Sequence, residues 1–276
     1  MKTTTFLSLL VSVVLMSCVG KPVQDERVVT VTIEPLRYFT EQIAGDKFKV
    51  VTMVPKGGNP ETYEPSTKQM MDFSVSDLYI KVGNIGFERT WMQKLEANAP
   101  HSIIVDSSEG VTPLRTPHGD IDPHTWMSVV NARIIARNIC QALVQIDSKD
   151  SIYFQDNLKQ LLQQIDDVDA SIRKTLTESK TRSFLIYHPV LTYFAHDYNL
   201  NQIAMEEEGR EPSASQLKNV IMDARSKGVK TFFVQSEFAN RNIDIVAEET
   251  QTTKTAINPL GYNWNKEMLK VAQSLR

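Results

Sequence analysis

The sequence predicts an α/β protein of two lobes, each a small parallel sheet flanked by helices, joined by one long backbone helix. In both halves of the chain, short β-branched runs alternate with helical patterns, which is typical of parallel sheets. Between the halves, a stretch without Gly or Pro repeats Leu, Ile and Val at spacings of three and four. With 276 residues, of which 41% are hydrophobic, the chain is long enough for two lobes that each bury a core.

The amino terminus is typical of an export signal rather than of the fold. Lys2 precedes an apolar stretch, residues 6–16, that has the length of a secretory signal and is too short for a membrane span. The stretch ends in residues 15–18 (LMSC), which resemble the lipobox of bacterial lipoproteins, although Met16 is larger than that pattern favours. We therefore expect Cys18 to carry a lipid. Ordinary signal cleavage beside an incidental Cys is the alternative.

Four strands are expected in each lobe. In the first half they are residues 27–33, 48–54, 77–82 and 102–106, and in the second half residues 183–187, 202–205, 230–235 and 254–257. A helix is expected between two of the later strands, at residues 213–227, because Pro212 precedes it and Gly228 follows it.

The stretch between the halves predicts a single connecting helix over residues 148–178. At 1.5 Å per residue it would be roughly 46 Å long, more than the expected width of either lobe. Two shorter helices with a bend are the alternative. The expected organisation has five parts: a lipoprotein signal peptide (1–17), a tether (18–26), an N-terminal lobe (27–147), the connecting helix (148–178) and a C-terminal lobe (179–276).

The two lobes share short sequence similarities. Residues 32–39 resemble residues 186–194, and each segment is followed by a second strand and then by Glu-Pro-Ser, at 64–66 and at 211–213. We interpret this as a weak internal repeat. If the lobes are alike, the carboxyl ends of their strands face one another across a cleft.

Potential metal ligands stand where predicted strands end, two in each half: Glu61, His124, His188 and Asn258. In open parallel sheets ligands bind at the carboxyl ends of strands, so these side chains are expected to converge on the cleft. Two imidazoles, a carboxylate and an amide oxygen are a suitable ligand set for a transition metal. The alternative is that each His is an ordinary polar residue and that the Glu61 carboxylate is simply solvated.

Other residues are candidates for additional or supporting roles. Glu237 and the run of residues 206–208 (EEE) each follow a predicted strand, so either place could supply a further carboxylate ligand. The alternatives are that the run is simply a solvated turn and that Glu237 braces the loop into the next helix. Ligating imidazoles need a partner on the other ring nitrogen, which Asp122, Tyr63 or Tyr187 are placed to provide.

Five stretches carry a resemblance to a known family: residues 58–65 (GNPETYEP), 122–126 (DPHTW), 187–200 (YHPVLTYFAHDYNL), 208–213 (EGREPS) and 258–261 (NPLG). On these, the chain resembles the zinc and manganese type of metal-specific solute-binding proteins of bacterial ABC importers over nearly its whole mature length. The resemblance implies a chelatase-like (TroA-like) fold, in which a metal is held between two lobes joined by a backbone helix.

The ligand positions depart from the family in two places. The family usually has His where this chain has Glu61 and Asp where it has Asn258, whereas His124 and His188 agree with it. Three His with one Asp carry the same formal charge as this set, so we expect an altered but working site. Zinc is expected from the general order of metal affinities. Zinc-specific members of the family often carry a His- and acid-rich loop before the second ligand, and this chain has only residues 114–120 (LRTPHGD) there. Because two of the four expected ligands are also oxygen donors, manganese and iron are alternatives.

The resemblance implies a receptor and not an enzyme: a monomer, anchored through Cys18 in the cell envelope, that delivers a divalent metal to an ABC importer permease. The 30 basic and 33 acidic residues give a net charge of −3, so no excess of basic residues indicates nucleic acid as a partner. A metallohydrolase with the same ligands and Glu237 as general base is an alternative, although no HExxH, GxSxG or phosphate-loop motif is present. An adhesin that uses the lobes only as a scaffold is a third hypothesis.

Overall fold

The computed structural model describes residues 27–179, 181–206, 212–235 and 241–276. The expected signal peptide, Cys18 and the tether lie outside these residues, and so does Glu237. The first lobe is built from β1 (Val28–Val31), α1 (Glu34–Ala44), β2 (Lys49–Thr52), α2 (Thr67–Phe73), β3 (Ser76–Lys81), α3 (Gly86–Asn98), β4 (Ile103–Asp106) and α4 (Val129–Ile146).

After a short 3-10 turn at Ser148–Asp150, the chain forms the long helix α5 (Ser151–Thr177) and then the second lobe. Its elements are β5 (Ser183–Ile186), α6 (Thr192–Asp197), β6 (Asn201–Ala204), α7 (Ala214–Ser226), β7 (Thr231–Gln235), α8 (Arg241–Thr250), β8 (Thr253–Ile257) and α9 (Trp264–Gln273). None of the described helices combines the length and the apolar character that a bilayer crossing requires.

The two sheets have the same topology. Both are parallel, with strand orders β2-β1-β3-β4 and β6-β5-β7-β8. In each sheet the first strand of the lobe is an inner strand. The second strand is added on one side of it and the third and fourth strands on the other, so the strand order reverses there. Ligands bind at the carboxyl ends of the strands at such a switch point. All eight strands lie where the sequence predicts them, within two residues at each end.

The helices after the second strands begin in the same way in both lobes. The Ser66 hydroxyl accepts from the Gln69 backbone amide while the Gln69 side chain accepts from the Ser66 amide, and Ser213 and Gln216 repeat this capping box. Both Ser residues belong to the repeated Glu-Pro-Ser. The sequence similarity therefore corresponds to a repeated strand and a repeated helix start, as the weak internal repeat predicts.

Helix α5 is one unbroken helix of 27 residues, about 40 Å long. It packs against α1 and α4 of the first lobe and against α9 of the second. Its buried face repeats at helical spacing and consists of Phe154, Leu161, Ile165, Val168, Ile172 and Leu176. The predicted connecting helix is therefore present, with its first turn in 3-10 geometry.

The main hydrophobic core is continuous between the lobes, whereas the sequence led us to expect two separate cores. A single buried cluster includes Phe39 of the first lobe, Ile165 of α5 and Phe233 of the second lobe. A smaller cluster lies beneath α7 and α8. The cores merge because α5 presents apolar side chains to helices of both lobes along its length. Periodicity within one segment reveals a buried face but not the number of elements that cover it.

The lobes are also joined by hydrogen bonds between tryptophans and backbone carbonyls. The indole of Trp126 donates to the carbonyl of Pro259 (2.8 Å), and the indole of Trp264 donates to the carbonyl of Trp126 (2.7 Å). Both rings are fully buried. These contacts fix the segment that carries His124 against the segment that follows β8.

Candidate metal centre

The structure brings His124 of the first lobe and His188 of the second lobe into contact. Their Nε2 atoms lie 3.3 Å apart, and the ring planes meet at 80°. His124 lies in the long connection from β4 to α4 and is 8% exposed, and His188 follows β5 at the switch point of the second sheet. The two residues are 64 positions apart in the chain, so the tertiary fold alone makes them neighbours.

Each imidazole is held through its other nitrogen by a carboxylate. The Nδ1 atom of His124 lies 2.8 Å from Asp122 Oδ1, and the Nδ1 atom of His188 lies 2.9 Å from Glu206 Oε2. A carboxylate can only accept at these contacts, so each Nδ1 donates a proton and Nε2 is the nitrogen of each ring that remains for a ligand. The two Nε2 atoms face each other between the lobes.

The His124 side chain is held by Asp122 on one side and by Trp126 on the other. Burial favours its neutral form, but hydrogen bonds from the ring and the backbone amide of His124, together with the attraction of the imidazole, outweigh burial and lower the pKa of Asp122. The indole ring of Trp126 packs edge-on against the His124 ring at 5.3 Å. The His124 imidazole is therefore preorganised by a charge on one side and an aromatic ring on the other.

Glu206 is a partner of His188 that our interpretation of the sequence missed. We expected residues 206–208 to form a solvated turn, and for Glu206 this is wrong, because only 2% of it is exposed. Residues 207 and 208 lie outside the described part of the chain. The two residues meet because β6 pairs with β5, so that residues just after both strands emerge at the same edge of the sheet. That adjacency comes from the fold and not from the sequence around Glu206.

Gln235 supports His188 from the other side. It ends β7, the second neighbour of β5, and its side-chain amide donates to the carbonyl of His188 at 2.8 Å. The backbone and the ring of His188 are therefore held from both adjacent strands. This arrangement leaves Nε2 as the atom of His188 that faces the first lobe.

The distance between the imidazoles fits a metal ion. Two nitrogens bound to zinc at about 2.05 Å, at a tetrahedral angle, would be about 3.3 Å apart. Two lone pairs at that separation repel unless a cation or a proton lies between them. The pair is therefore able either to share a proton or to provide two ligands to one metal ion.

Glu61 follows β2 as the sequence predicts, but in the structure its carboxylate contacts α3. Its Oε2 atom accepts from the backbone amide of Gly86 at 2.9 Å and lies 3.7 Å from the Arg89 guanidinium. Among the described residues, no third His, Cys, Asp or Glu joins the imidazoles in a group of three suited to a metal ion. The structure therefore brings two of the four predicted ligands together.

The other candidates have different surroundings. Asn258 directly follows β8, and its backbone amide donates to Glu267 at 2.6 Å. The Tyr63 hydroxyl donates to Gln69 at 2.7 Å and the ring packs on Phe87, so Tyr63 supports its own loop. Tyr187 is buried in the smaller core cluster of the second lobe. A partner role toward an imidazole is observed for Asp122, whereas the Tyr63 hydroxyl is bonded to Gln69.

Two α/β lobes of one topology, joined by a long helix and with an imidazole pair between them, define a two-lobed solute receptor. The model of the periplasmic zinc-uptake complex component A family, ZnuA, matches residues 29–273, so the chain belongs to this family. A solved structure, the "Crystal structure of ZnuA", is similar with a TM-score of 0.86 and 33% identity, covering 90% of this chain and 97% of that one.

Curated relatives agree with this assignment. A metal ABC transporter substrate-binding lipoprotein of Lactococcus lactis is 30% identical over 89% of this chain and 84% of its own length. The manganese ABC transporter substrate-binding lipoprotein PsaA of Streptococcus anginosus is 29% identical over 76% and 72% of the two chains. Members of the family are substrate-binding proteins of metal importers, so the chain is a transport receptor and not a metallohydrolase.

Proposed function

We propose that this receptor captures a divalent transition metal between His124 and His188 and passes it to an ABC importer permease. The observation that carries the proposal is the pair of Nε2 atoms 3.3 Å apart, each belonging to a ring whose Nδ1 is held by a carboxylate. Carboxylate partners on ligating imidazoles fix the tautomer and raise the basicity of the ligand. Asp122 and Glu206 also supply negative charge close to the cation.

Glu61 and Asn258 are proposed to complete the coordination from opposite lobes. Glu61 follows β2 through a loop and Asn258 directly follows β8, and in open parallel sheets ligands bind at the carboxyl ends of strands. Glu237, which follows β7, is a further candidate for the same role. A carboxylate is the stronger donor of the two types, so Glu61 is expected to contribute more than Asn258.

Zinc is the cargo that we propose first, and manganese and iron are the alternatives. The imidazole pair suits zinc, and the general order of affinities places zinc above manganese and iron at a site of given ligands. The matching family model and solved structure are those of a zinc-uptake component, whereas the S. anginosus relative carries manganese in its name. The cargo can be identified by letting zinc, manganese and iron compete for binding to the purified protein.

The test is to measure metal content and zinc affinity of the mature protein without a His tag, for the wild type, His124→Ala and His188→Ala. We expect both variants to lose stoichiometric zinc. His196→Ala is the matched control, because the His196 side chain is 68% exposed, and it should bind as the wild type does. Stoichiometric zinc in both cleft variants would remove the proposed site.

We further propose that the protein acts as a monomer held in the cell envelope by a lipid on Cys18, facing the periplasm or the extracellular side. The L. lactis and S. anginosus relatives are named lipoproteins of ABC transporters, which supports both the anchor and the permease partner. Incorporation of a labelled fatty acid into the wild type but not into Cys18→Ala would support the anchor. Equal labelling of both proteins would contradict it.

A further inference from the structure

The Glu61 carboxylate occupies the amino terminus of helix α3. The residue before this helix, Ile85, provides no side-chain cap, and Glu61 accepts instead from the amide of the first helical residue, Gly86, at 2.9 Å. The next amide, that of Phe87, donates to the carbonyl of Pro60 at 2.8 Å. The loop that carries Glu61 therefore satisfies two amides that the first turn of a helix leaves without intrahelical partners.

Glycine is required at position 86 for this close approach. A Cβ atom on Gly86 would lie 2.3 Å from the carbonyl oxygen of Glu61 and 2.6 Å from its carboxylate. Any other residue would push the Glu61 loop away from α3. The contact is thus built into the packing of the loop against the helix.

A positive charge strengthens the same contact. The Arg89 guanidinium lies 3.7 Å from the Glu61 carboxylate and also donates to the carbonyl of Asn84 in the turn before α3. The positive end of the helix dipole and Arg89 therefore both attract this carboxylate. The Glu61 side chain is 31% exposed, so solvent weakens these attractions without removing them.

We propose that the amino terminus of α3 and Arg89 compete with the metal for the Glu61 carboxylate, so that Arg89 is a positioning residue that sets metal affinity without touching the metal. This inference rests on the proposed function, in which Glu61 joins His124 and His188 as a ligand. In the structure the carboxylate accepts from the Gly86 amide of α3, and within the described residues Glu61 forms no group of three with the imidazoles that could hold a metal ion.

The competition has a thermodynamic consequence. A contact that must break for the metal to bind weakens binding by its own free energy, and the metal weakens that contact by the same factor. The receptor thereby gives up part of its affinity. When the metal leaves, α3 takes the carboxylate back, which favours release of the metal to a partner.

The experiment is a double-mutant cycle on zinc affinity with Arg89→Gln, Glu61→Gln and both together, with ZnCl2 as the probe. We expect Arg89→Gln to bind zinc about two- to fivefold more tightly, in line with a partly exposed ion pair, and Glu61→Gln to bind it more weakly. In the Glu61→Gln background the Arg89 substitution should bring no gain. Lys94→Gln removes an exposed charge from the same helix and should leave the affinity unchanged.

A second measurement follows the contact itself. In amide NMR spectra, saturating zinc should shift the Gly86 resonance of the wild type, because its acceptor leaves, and should not shift it in Glu61→Gln. Tighter zinc binding by Arg89→Gln in both backgrounds would show simple repulsion of the cation and overturn the inference. So would weaker binding by Arg89→Gln, or a Gly86 resonance that zinc does not move while the wild type binds it.

Different results contradict the two proposals. If His124→Ala and His188→Ala both keep zinc, the proposed function is wrong. If those variants lose zinc but the Arg89 and Glu61 substitutions show no coupling, the proposed function stands and this inference is wrong.

Discussion

At the scale of single residues, the candidate site is defined by which groups hold the two imidazoles. Asp122 was predictable as a partner because it stands two positions before His124, and a loop carboxylate so close can reach the ring. Glu206 is 18 positions from His188, and the sequence around it is typical of an exposed acidic turn. It became a buried partner because β5 and β6 are adjacent.

The first prediction concerns this carboxylate. Glu206→Gln keeps the shape of the side chain and an acceptor for the His188 Nδ1 proton but removes the charge that strengthens the ligand. We expect zinc affinity to fall about tenfold or more, in the range seen for such outer partners. Isothermal titration with a competing chelator measures it. Glu248→Gln, on the exposed face of α8, is the control, and an equal loss in both variants would contradict a specific role.

The second prediction concerns a buried carboxylate of the first lobe. Glu88 is 3% exposed and accepts from the Thr32 hydroxyl and the amides of Val82 and Gly83. Burial raises the pKa of Glu88 to about 7, against the effect of these hydrogen bonds. The folded protein therefore holds a proton there that the unfolded chain releases at lower pH, and the contribution of Glu88 to stability falls as the pH rises from about 4.5 to about 7.

Glu88→Gln removes this titration. We expect the free energy of unfolding of the variant to fall less than that of the wild type between about pH 5 and about pH 7.5, as measured by urea denaturation at each pH. Glu96→Gln, exposed on the same helix, should keep the slope of the wild type. A wild-type slope in Glu88→Gln would show that another group causes the pH dependence.

At the scale of elements, the predictions from local patterns are confirmed. The strands follow from β-branched runs and α5 from the spacing of its apolar residues, since both patterns are contained within one segment. Helix α7 begins after Pro212 and ends before Gly228, at the positions that these two residues predict. Start and stop signals work here because they act on the nearest few backbone groups.

The third prediction tests the repeated helix starts. Ser66→Ala and Ser213→Ala each remove a capping box, and each should lower the free energy of unfolding by about 1 kcal/mol. Because both lobes use the same cap, the two losses should be similar. Ser171→Ala, on the exposed face of α5, removes only a bond to its own helix and should change stability little. Denaturant midpoints compared at equal m-values provide the measurement.

At the scale of the whole molecule, the lobes are expected to unfold together. One hydrophobic cluster extends from the first sheet through α5 to the second sheet, and Trp126 and Trp264 bond across the lobes. Separate cores would let each lobe unfold by itself. A shared core links the two unfolding events, because unfolding of either lobe exposes apolar side chains of α5 that also belong to the core of the other lobe.

The fourth prediction follows from that continuity. Differential scanning calorimetry of the metal-free protein should show one transition whose calorimetric and van't Hoff enthalpies agree. Trp264→Phe, which loses the hydrogen bond to the Trp126 carbonyl, should shift this transition to lower temperature without splitting it. Two resolved transitions in the wild type would contradict a shared core.

By itself, the sequence determined the secondary-structure elements, the two-lobed α/β class and the residues that are chemically able to bind a metal. These depend on side-chain chemistry and on periodicity within short segments, which the order of residues contains directly. Only the tertiary structure decided that Glu206 holds His188, that Glu61 binds the start of α3, and that one core serves both lobes. Each of these outcomes depends on which strand or helix lies beside which, and that choice is made by the packing of the whole chain.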